Sequence, residues 1–262
     1  MTGPLIFTPE YYARMRENET GGWWNAGMRS VAELLLAEAR LPNQGSVLDV
    51  GCGSGQTMQW FLDSHPGWRV AGIDLAPEGL RAAIHLGQRR VSRASALSLP
   101  HPAQSMDLVF TLDVLQHLPL DGGDRIALAE MRRVLRPGGH LFLRTNAQAF
   151  PWTPDDRRYD FHKYEPDELR GTLEATGFQV LRLSRINALL GLAEIPREWR
   201  ARRDHGRGYH GILSSATQRG ALDGLCQRWL ALEGRAVRCG WRLPLGRAIV
   251  ALCRTAYGGE AA

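Results

Sequence analysis

The chain has 262 residues, of which 44% are hydrophobic and 23% charged, with 4 cysteines and a formal net charge of +5. That length suits one large α/β domain or two small ones, and the composition is that of a globular protein with a full core, not of a disordered or fibrous chain. No apolar run approaches the roughly 18 residues of a bilayer crossing, and no basic stretch followed by a long apolar core opens the chain, so neither a transmembrane helix nor a secretory signal is expected.

In chain order, the first 40 residues predict helix. "PEYYARMRENE" and "AGMRSVAELLLAEARL" lack internal proline, and Val31, Leu34, Leu35 and Ala39 recur near the helical period. Pro42 and Gly45 end that pattern, and "SVLDV" follows as a short β-rich run. "GQTMQWFLDSH" predicts a helix stopped by Pro66 and Gly67. "WRVAGIDL" is a second strand, and "APEGLRAAIHLGQ" a helix opened by Pro77 at a favoured first-turn position. A weak strand near "RRVSRAS" precedes a clear one in "SMDLVFTLDVL". "DGGDRIALAEMRRVL" reads as a helix that stops at "RPGG", and "HLFLRTN" as the next strand. "EPDELRGTLEATG" and "FQVLRLSRI" form a further helix and strand. Repeated βα units of this length predict a parallel sheet covered by helices on both faces. Beyond Ile186 the pattern loosens into helical stretches from Asn187 to Val237, and "GRAIVALCRT" closes the series as one last strand. A strand entered through so long an insertion suits a mostly parallel sheet ending in an antiparallel pair.

All but one of the 32 basic residues are arginine, Lys163 being the exception. They are spread along the chain apart from "REWRARRDHGRGYH", Arg197 to His210, which reads as a solvated or substrate-facing segment and not as a nucleic-acid module. Cys52, Cys226, Cys239 and Cys253 form no CxxC pair and no zinc-like spacing with histidine. No metal site is expected, and reduced thiols in a cytoplasmic protein fit best.

Chemistry concentrates in "VLDVGCGSGQ", the first strand-to-helix loop. Ligands of open α/β sheets bind beyond the carboxyl ends of the strands, and glycines there let the backbone turn sharply and approach a ligand. The order Gly51-Cys52-Gly53-Ser54-Gly55 departs from the GxGxxG of dinucleotide sites. Asp49, just before the turn, would repel a pyrophosphate but favour an ammonium group. Asp74 ends the second strand about where a carboxylate accepts both hydroxyls of a ribose. An amino acid joined to a ribonucleoside therefore fits this loop better than a nicotinamide dinucleotide, with a nicotinamide-dependent oxidoreductase as the rival reading.

With those residues in place, the sequence resembles the class I S-adenosylmethionine-dependent methyltransferases, and within them the type 11/12-like members. "VLDVGCGSG", "VAGIDLAPEGLRAA", "SMDLVFTLDVLQHLP" and "EMRRVLRPGGHLFLRTN" look like that family's successive motifs, in order and at its spacing from Ser46 to Ile186. The resemblance implies a Rossmann-like α/β fold with a seven-stranded, mostly parallel sheet of order 3-2-1-4-5-7-6, preceded by N-terminal helices. It further implies a single domain: a helical cap over 1–44, a cofactor core over 45–186, a helical insertion walling the acceptor over 187–240, and the last strand and tail over 241–262. "RENETGGWWNAGMRSVAELL" and "RLPLGRAIVALCR" look like one bacterial subgroup that carries a Trp-Trp pair before an Arg-bearing helix.

Carried over residue by residue, the resemblance assigns S-adenosylmethionine binding to Asp49 and the loop Gly51, Cys52, Gly53 and Gly55. It gives Asp74 to the ribose and Leu75 to the adenine face. Where the family usually has an acidic Asp-Ala pair for the adenine amino group, this chain has Ser95, Ala96 and Leu97, and a serine accepts that bond more weakly. Thr111 ends the fourth strand beside the amino-acid portion, and Arg29 is placed to pair with the cofactor carboxylate. Tyr11, Tyr12, Trp23 and Trp24 offer aromatic faces to a cationic sulfonium, although the tryptophans can equally staple the first helices to the sheet. Asp113, Gln116 and His117 fall on a short helix facing the acceptor. Tyr12 and His117 are the catalytic candidates, His117 as a general base, with helix capping as its plainer role. Tyr159, His162 and Tyr164 lie where substrate residues often sit, or simply pack a loop.

The expected activity is methyl transfer to oxygen or nitrogen of a small-molecule or peptide acceptor in bacterial specialised metabolism, leaving S-adenosylhomocysteine. An acidic acceptor suits the arginine-rich insertion. Neither nucleic-acid binding nor membrane insertion is expected, and the chain should act as a monomer or homodimer. The other reading keeps fold and cofactor but replaces methylation by a binding role or another rearrangement.

Overall fold

A computed structural model describes residues 22–148, 162–188 and 223–256. In chain order these form α1 (Trp23–Leu36), β1 (Gly45–Val50), α2 (Gln56–Ser64), β2 (Trp68–Asp74), α3 (Pro77–His85), β3 (Val91–Arg93), β4 (Met106–Leu112), a 3-10 turn (Leu115–His117), α4 (Gly123–Val134), β5 (Leu135–Asn146), α5 (Pro166–Ala175), β6 (Phe178–Ile186), α6 (Asp223–Arg238) and β7 (Ala248–Thr255).

The strands build one seven-stranded sheet in the order β3-β2-β1-β4-β5-β7-β6. The β1–β5 strands run parallel, and β7 lies antiparallel between β5 and β6. This is the Rossmann-like order that the family resemblance implied. Its centre is apolar on both faces: Val47, Leu48 and Val50 of β1 are at most 1% exposed, as a central parallel strand requires. One face packs on α4 and α5 through Leu128, Met131, Leu169 and Leu173. The other packs on α1, α2 and α6 through Val31, Leu35, Phe61, Leu230 and Val237.

Two boundaries differ from the sequence expectation. The fifth strand begins at Leu135 and not at His140, because Leu135 already pairs with Met106 before the register jumps to Leu108 with His140. The "RPGG" stretch is thus an irregularity inside the strand, bulged where Pro137 has no amide to donate. The helix after β4 is a single 3-10 turn, Leu115–His117.

α1 and α6 pack closely. A Cβ on Gly27 would stand 2.5 Å from Leu230 Cδ1, so glycine there sets the distance between the helices. Glu233 of α6, buried against this pair, accepts the amides of Asn187 and Ala188 just past β6, the latter at 3.0 Å, and the Trp229 indole N–H at 2.6 Å. One carboxylate therefore anchors α6 to the end of β6.

Between β3 and β4 the chain crosses without a helix, and side chains of α4 hold that crossover in place. Arg133 donates to the carbonyls of Leu99 (3.0 Å) and His101 (2.9 Å). Glu130 accepts the Leu99 amide at 2.8 Å and pairs with Arg133 at 2.7 Å. The hydrogen bonds donated by the Arg133 fork, with that of the Leu99 amide, hold the Glu130 carboxyl below its ordinary range.

Candidate active site

The sequence concentrates its chemistry at the carboxyl ends of β1, β2 and β4, and the structure brings these ends together. β1 hands over to α2 through Gly51, Gly53 and Gly55, with φ of +79°, +50° and +79°. Side chains with a Cβ rarely adopt that region. Gly51 also leaves no room for one: a Cβ would fall 2.2 Å from Val114 Cγ2. The loop thus runs directly against the chain leaving β4.

Its amides are already directed. Those of Gly51 and Cys52 both donate to the Ile73 carbonyl, at 2.8 and 2.9 Å, tying the loop to β2. Asp74 spans the two crossovers: Oδ2 accepts Gly53 N–H at 2.8 Å and Oδ1 accepts Ala76 N–H at 2.8 Å. Each carboxylate oxygen keeps a lone pair for a further donor. Beside it Leu75 is 61% exposed, a bare apolar face at the end of β2. Asp49 is 2% exposed beneath the loop, and Cys52 is buried with it.

Thr111, at the carboxyl end of β4 and paired in register with Val50, is fully buried. Its Oγ1 has no hydrogen-bond partner among the described residues. A buried hydroxyl left unpaired beside a glycine loop costs stability until a polar ligand group meets it. Ser95 folds into a tight turn in which its Oγ accepts the Leu97 amide at 3.2 Å, while Ala96 is buried in the core and Leu97 packs on it. The Ser95 hydroxyl therefore keeps its proton and one lone pair for a ligand.

Across the site, β4 runs into Asp113, which sits at φ +59°, an uncommon angle for a residue other than glycine. Arg144 of β5 grips it, donating from Nε to both carboxylate oxygens at 3.1 Å and from a terminal nitrogen at 2.5 Å. The guanidinium carbon lies 5.6 Å from the centre of the Trp24 ring. Trp24 in turn meets Trp23 edge to face at 5.9 Å. Trp23 is buried in the core beneath α1, and Arg29 lies half-buried on the same helix. The tryptophan pair thus fastens α1 to the sheet and, through Arg144, to the rim of the site. Arg144 was not singled out in the sequence, yet a charged residue inside the apolar run "HLFLRTN" signals a buried partner elsewhere.

His117 closes the 3-10 turn, and burial pushes its imidazole below the ordinary value while the nearby Asp113 opposes that shift. Gln116 is buried, its Oε1 accepting from Thr145 Oγ1 (3.2 Å) and Asn146 N–H (3.1 Å) and its carbonyl accepting His162 N–H (3.1 Å). Tyr164 is a packing residue: it is fully buried, stacks on His162 at 3.9 Å, and donates its hydroxyl to Asp124 at 3.3 Å. Its phenol is shifted strongly upward, chiefly by burial. Tyr11, Tyr12 and Tyr159 lie outside the described residues, as does the segment Arg197 to His210. Among the described residues no cluster of three or more histidines, cysteines or carboxylates could hold a metal ion.

A separate cleft of about 400 Å³, lined by Ser46, Arg69, Arg90, Ser92 and His101, opens near the amino ends of β1 and β4. It lies under the helix-less crossover and away from the glycine loop.

Residues 48–143 match the family model described as a methyltransferase domain. Over 109 residues the chain is 35% identical to the trans-aconitate 2-methyltransferase of Azoarcus sp. (strain BH72), covering 42% of this chain and 42% of that protein. The chain spans about two-fifths of the length of such curated relatives. Among solved structures, phosphoethanolamine N-methyltransferase 2 of Haemonchus contortus, in complex with S-adenosyl-L-methionine, superposes with a TM-score of 0.63 at 18% identity, over 96% of this chain and 58% of that one. The [4+2]-cyclase SpnF superposes with a TM-score of 0.59 at 18% identity, over 98% of each chain. Strand order, glycine loop and family match agree: residues 48–143 match a methyltransferase domain, set in a sheet with the Rossmann-like fold of the solved methyltransferases.

Proposed function

We propose that the chain is an S-adenosylmethionine-dependent methyltransferase acting on an oxygen or nitrogen of a small-molecule or peptide acceptor. The observation that carries this is the combination of a glycine loop braced by Asp74, an exposed Leu75 and an unpaired buried Thr111 hydroxyl around one strand crossover. These groups suit a ligand with a ribose for Asp74, a flat apolar base for Leu75 with Ser95, and a polar amino-acid end for Thr111 and the loop amides. Asp49, Gly51, Cys52, Gly53 and Gly55 shape that seat, Ala96 and Leu97 bound it, Trp23 holds α1 beside it, and Arg29 on that helix is the partner proposed for the cofactor carboxylate. The bound cofactor supplies an activated methyl group, so the protein's own work is alignment and exclusion of water.

A carboxylate oxygen is the sharper acceptor reading. It needs no base, and a relative of 35% identity is called a trans-aconitate 2-methyltransferase. A hydroxyl or amine acceptor would instead require a base, and His117 is the described residue suited to it. Burial disfavours its charged form, so the imidazole is the neutral, proton-accepting species down to a pH below the usual histidine value of 6.5. With a protonated acceptor, kcat/KM should stay flat as pH falls past 6.5 and drop only below it, and His117→Gln should remove the drop along with most of the rate. With a carboxylate acceptor the substitution should leave the profile unchanged. Measuring both profiles decides between the acceptors.

A structural neighbour of the same fold is called a cyclase, which favours a second reading: cofactor binding without methyl transfer. Calorimetry with S-adenosylmethionine, S-adenosylhomocysteine and NAD, followed by mass spectrometry of an acceptor panel, separates the readings. Binding of the first two with methylated product supports methyl transfer. Binding without S-adenosylhomocysteine formation with any acceptor favours the second reading, and NAD binding alone overturns both.

A further inference from the structure

Helix α6 buries one side and leaves the other bare. Leu230, Gly234 and Val237 face α1 and the sheet, together with the anchored Glu233. The opposite side shows Leu225, Trp229 and Leu232, respectively 60%, 39% and 52% exposed. Their spacing of four and three residues puts them in one stripe. Arg228 and Arg235 are exposed on the same side, and Arg238, Trp241 and Arg242 are exposed beyond it, Trp241 at 69%.

Single exposed apolar residues are ordinary, but four large ones on one helix and its continuation are not. Charge decides what covers them. Between residues 223 and 242 the carboxylates are Asp223, at the helix start, and Glu233, which is buried and bonded to the Asn187 and Ala188 amides and to Trp229. Four exposed arginines therefore flank the stripe, with no acidic side chain on the exposed face among the described residues of this segment. The arrangement asks for a partner that offers an apolar layer and many anionic groups together. A second copy of the same face would set arginine against arginine, whereas an anionic bilayer supplies acyl chains for leucine and tryptophan and phosphates for arginine.

We propose that the exposed face of α6, continued by Trp241, docks the protein on an anionic lipid surface. The docking is peripheral, since no helix among the described residues is long and apolar enough to cross a membrane. It does not depend on the identity of the acceptor.

The test is cosedimentation of the full chain with vesicles of phosphatidylcholine alone and of phosphatidylcholine with phosphatidylglycerol, at low and high salt. Partitioning should favour the anionic vesicles by about tenfold or more, weaken with salt, and shift tryptophan emission to the blue. Trp229→Ser with Trp241→Ser should lower it by about tenfold, and Arg228→Gln or Arg235→Gln by about fivefold each. Ile84→Ser, at a 58% exposed residue of α3, should leave it unchanged. Circular dichroism establishes that each variant is folded. The proposal is overturned by equal partitioning of the tryptophan variant and the parent, by no preference for anionic vesicles, or by a dimer that forms without lipid and is lost in the same variants.

Discussion

On the β1–β3 side of the carboxyl edge, the groups facing the site are mostly backbone: three glycines in the left-handed region and amides aimed by Ile73 and Asp74. On the β4–β5 side they are side chains drawn from distant segments: Trp24, Asp113 and Arg144 meet through ion pair and ring face, His117 lies within reach of the Asp113 charge, and the buried Thr111 hydroxyl stands unpaired among the described residues. A backbone seat depends on where the chain can pass and tolerates little change. A side-chain wall can be refitted one residue at a time. The first suits a constant ligand and the second a variable one.

Gly51→Ala should break the contrast most severely. The new methyl group meets both an unfavourable φ and Val114 Cγ2 at 2.2 Å. The expected loss is about 2–4 kcal/mol of stability, from backbone strain plus overpacking, together with cofactor binding. Gly87→Ala is the control: its φ is +96° but nothing lies within 4 Å of the added Cβ, so only about 1 kcal/mol should be lost. Urea denaturation of the two variants measures the difference. Equal losses would mean that close approach at Gly51 contributes nothing.

Asp74→Asn tests the same half through its bonds. The amide keeps one oxygen acceptor and turns an N–H toward one of the two backbone amides now bound at 2.8 Å. The loop should lose roughly 1.5–3 kcal/mol of charge-assisted bonding, and affinity for S-adenosylhomocysteine should fall about 10- to 100-fold by calorimetry.

The legibility of the chain follows the same division. Alternating βα segments made the parallel sheet legible, the family resemblance supplied its strand order, and the glycine loop could be located because its glycines stand within six residues of Asp49. The wall could not be read as a wall. Arg144 lies 31 residues from Asp113, and Trp24 comes from a helix before the first strand. Nothing local in "HLFLRTN" says which carboxylate its arginine will find. The unexpected length of β5 has a similar cause, since Leu135 joins the strand through its partner Met106 and not through its own neighbours.

On the wall side, Arg144→Gln removes the fork from Asp113 while Asp113 stays at its uncommon φ of +59°. The pair is only partly buried, with side-chain exposures of 11% and 37%, so about 1–2 kcal/mol should be lost, less than at Gly51. A double-mutant cycle with Trp24→Leu should return a coupling of about 0.5–1 kcal/mol for the ring over the guanidinium. No coupling would leave Trp24 as packing alone and detach α1 from the rim.

A gain in binding, and no loss, should come from Ser95→Asp, which asks whether the glycine-loop half is at its limit. Ser95 Oγ already accepts the Leu97 amide at 3.2 Å, and a carboxylate at that position can keep the bond with one oxygen and offer the other to an adenine amino group. A charge-assisted bond is about twice as strong as a neutral one, so the variant should bind S-adenosylhomocysteine about fivefold more tightly, a gain of about 1 kcal/mol. The gain should be absent for a ligand whose adenine amino group is replaced by hydrogen. Equal tightening for both ligands would place Ser95 away from the base and move the adenine contact to the exposed Leu75 alone.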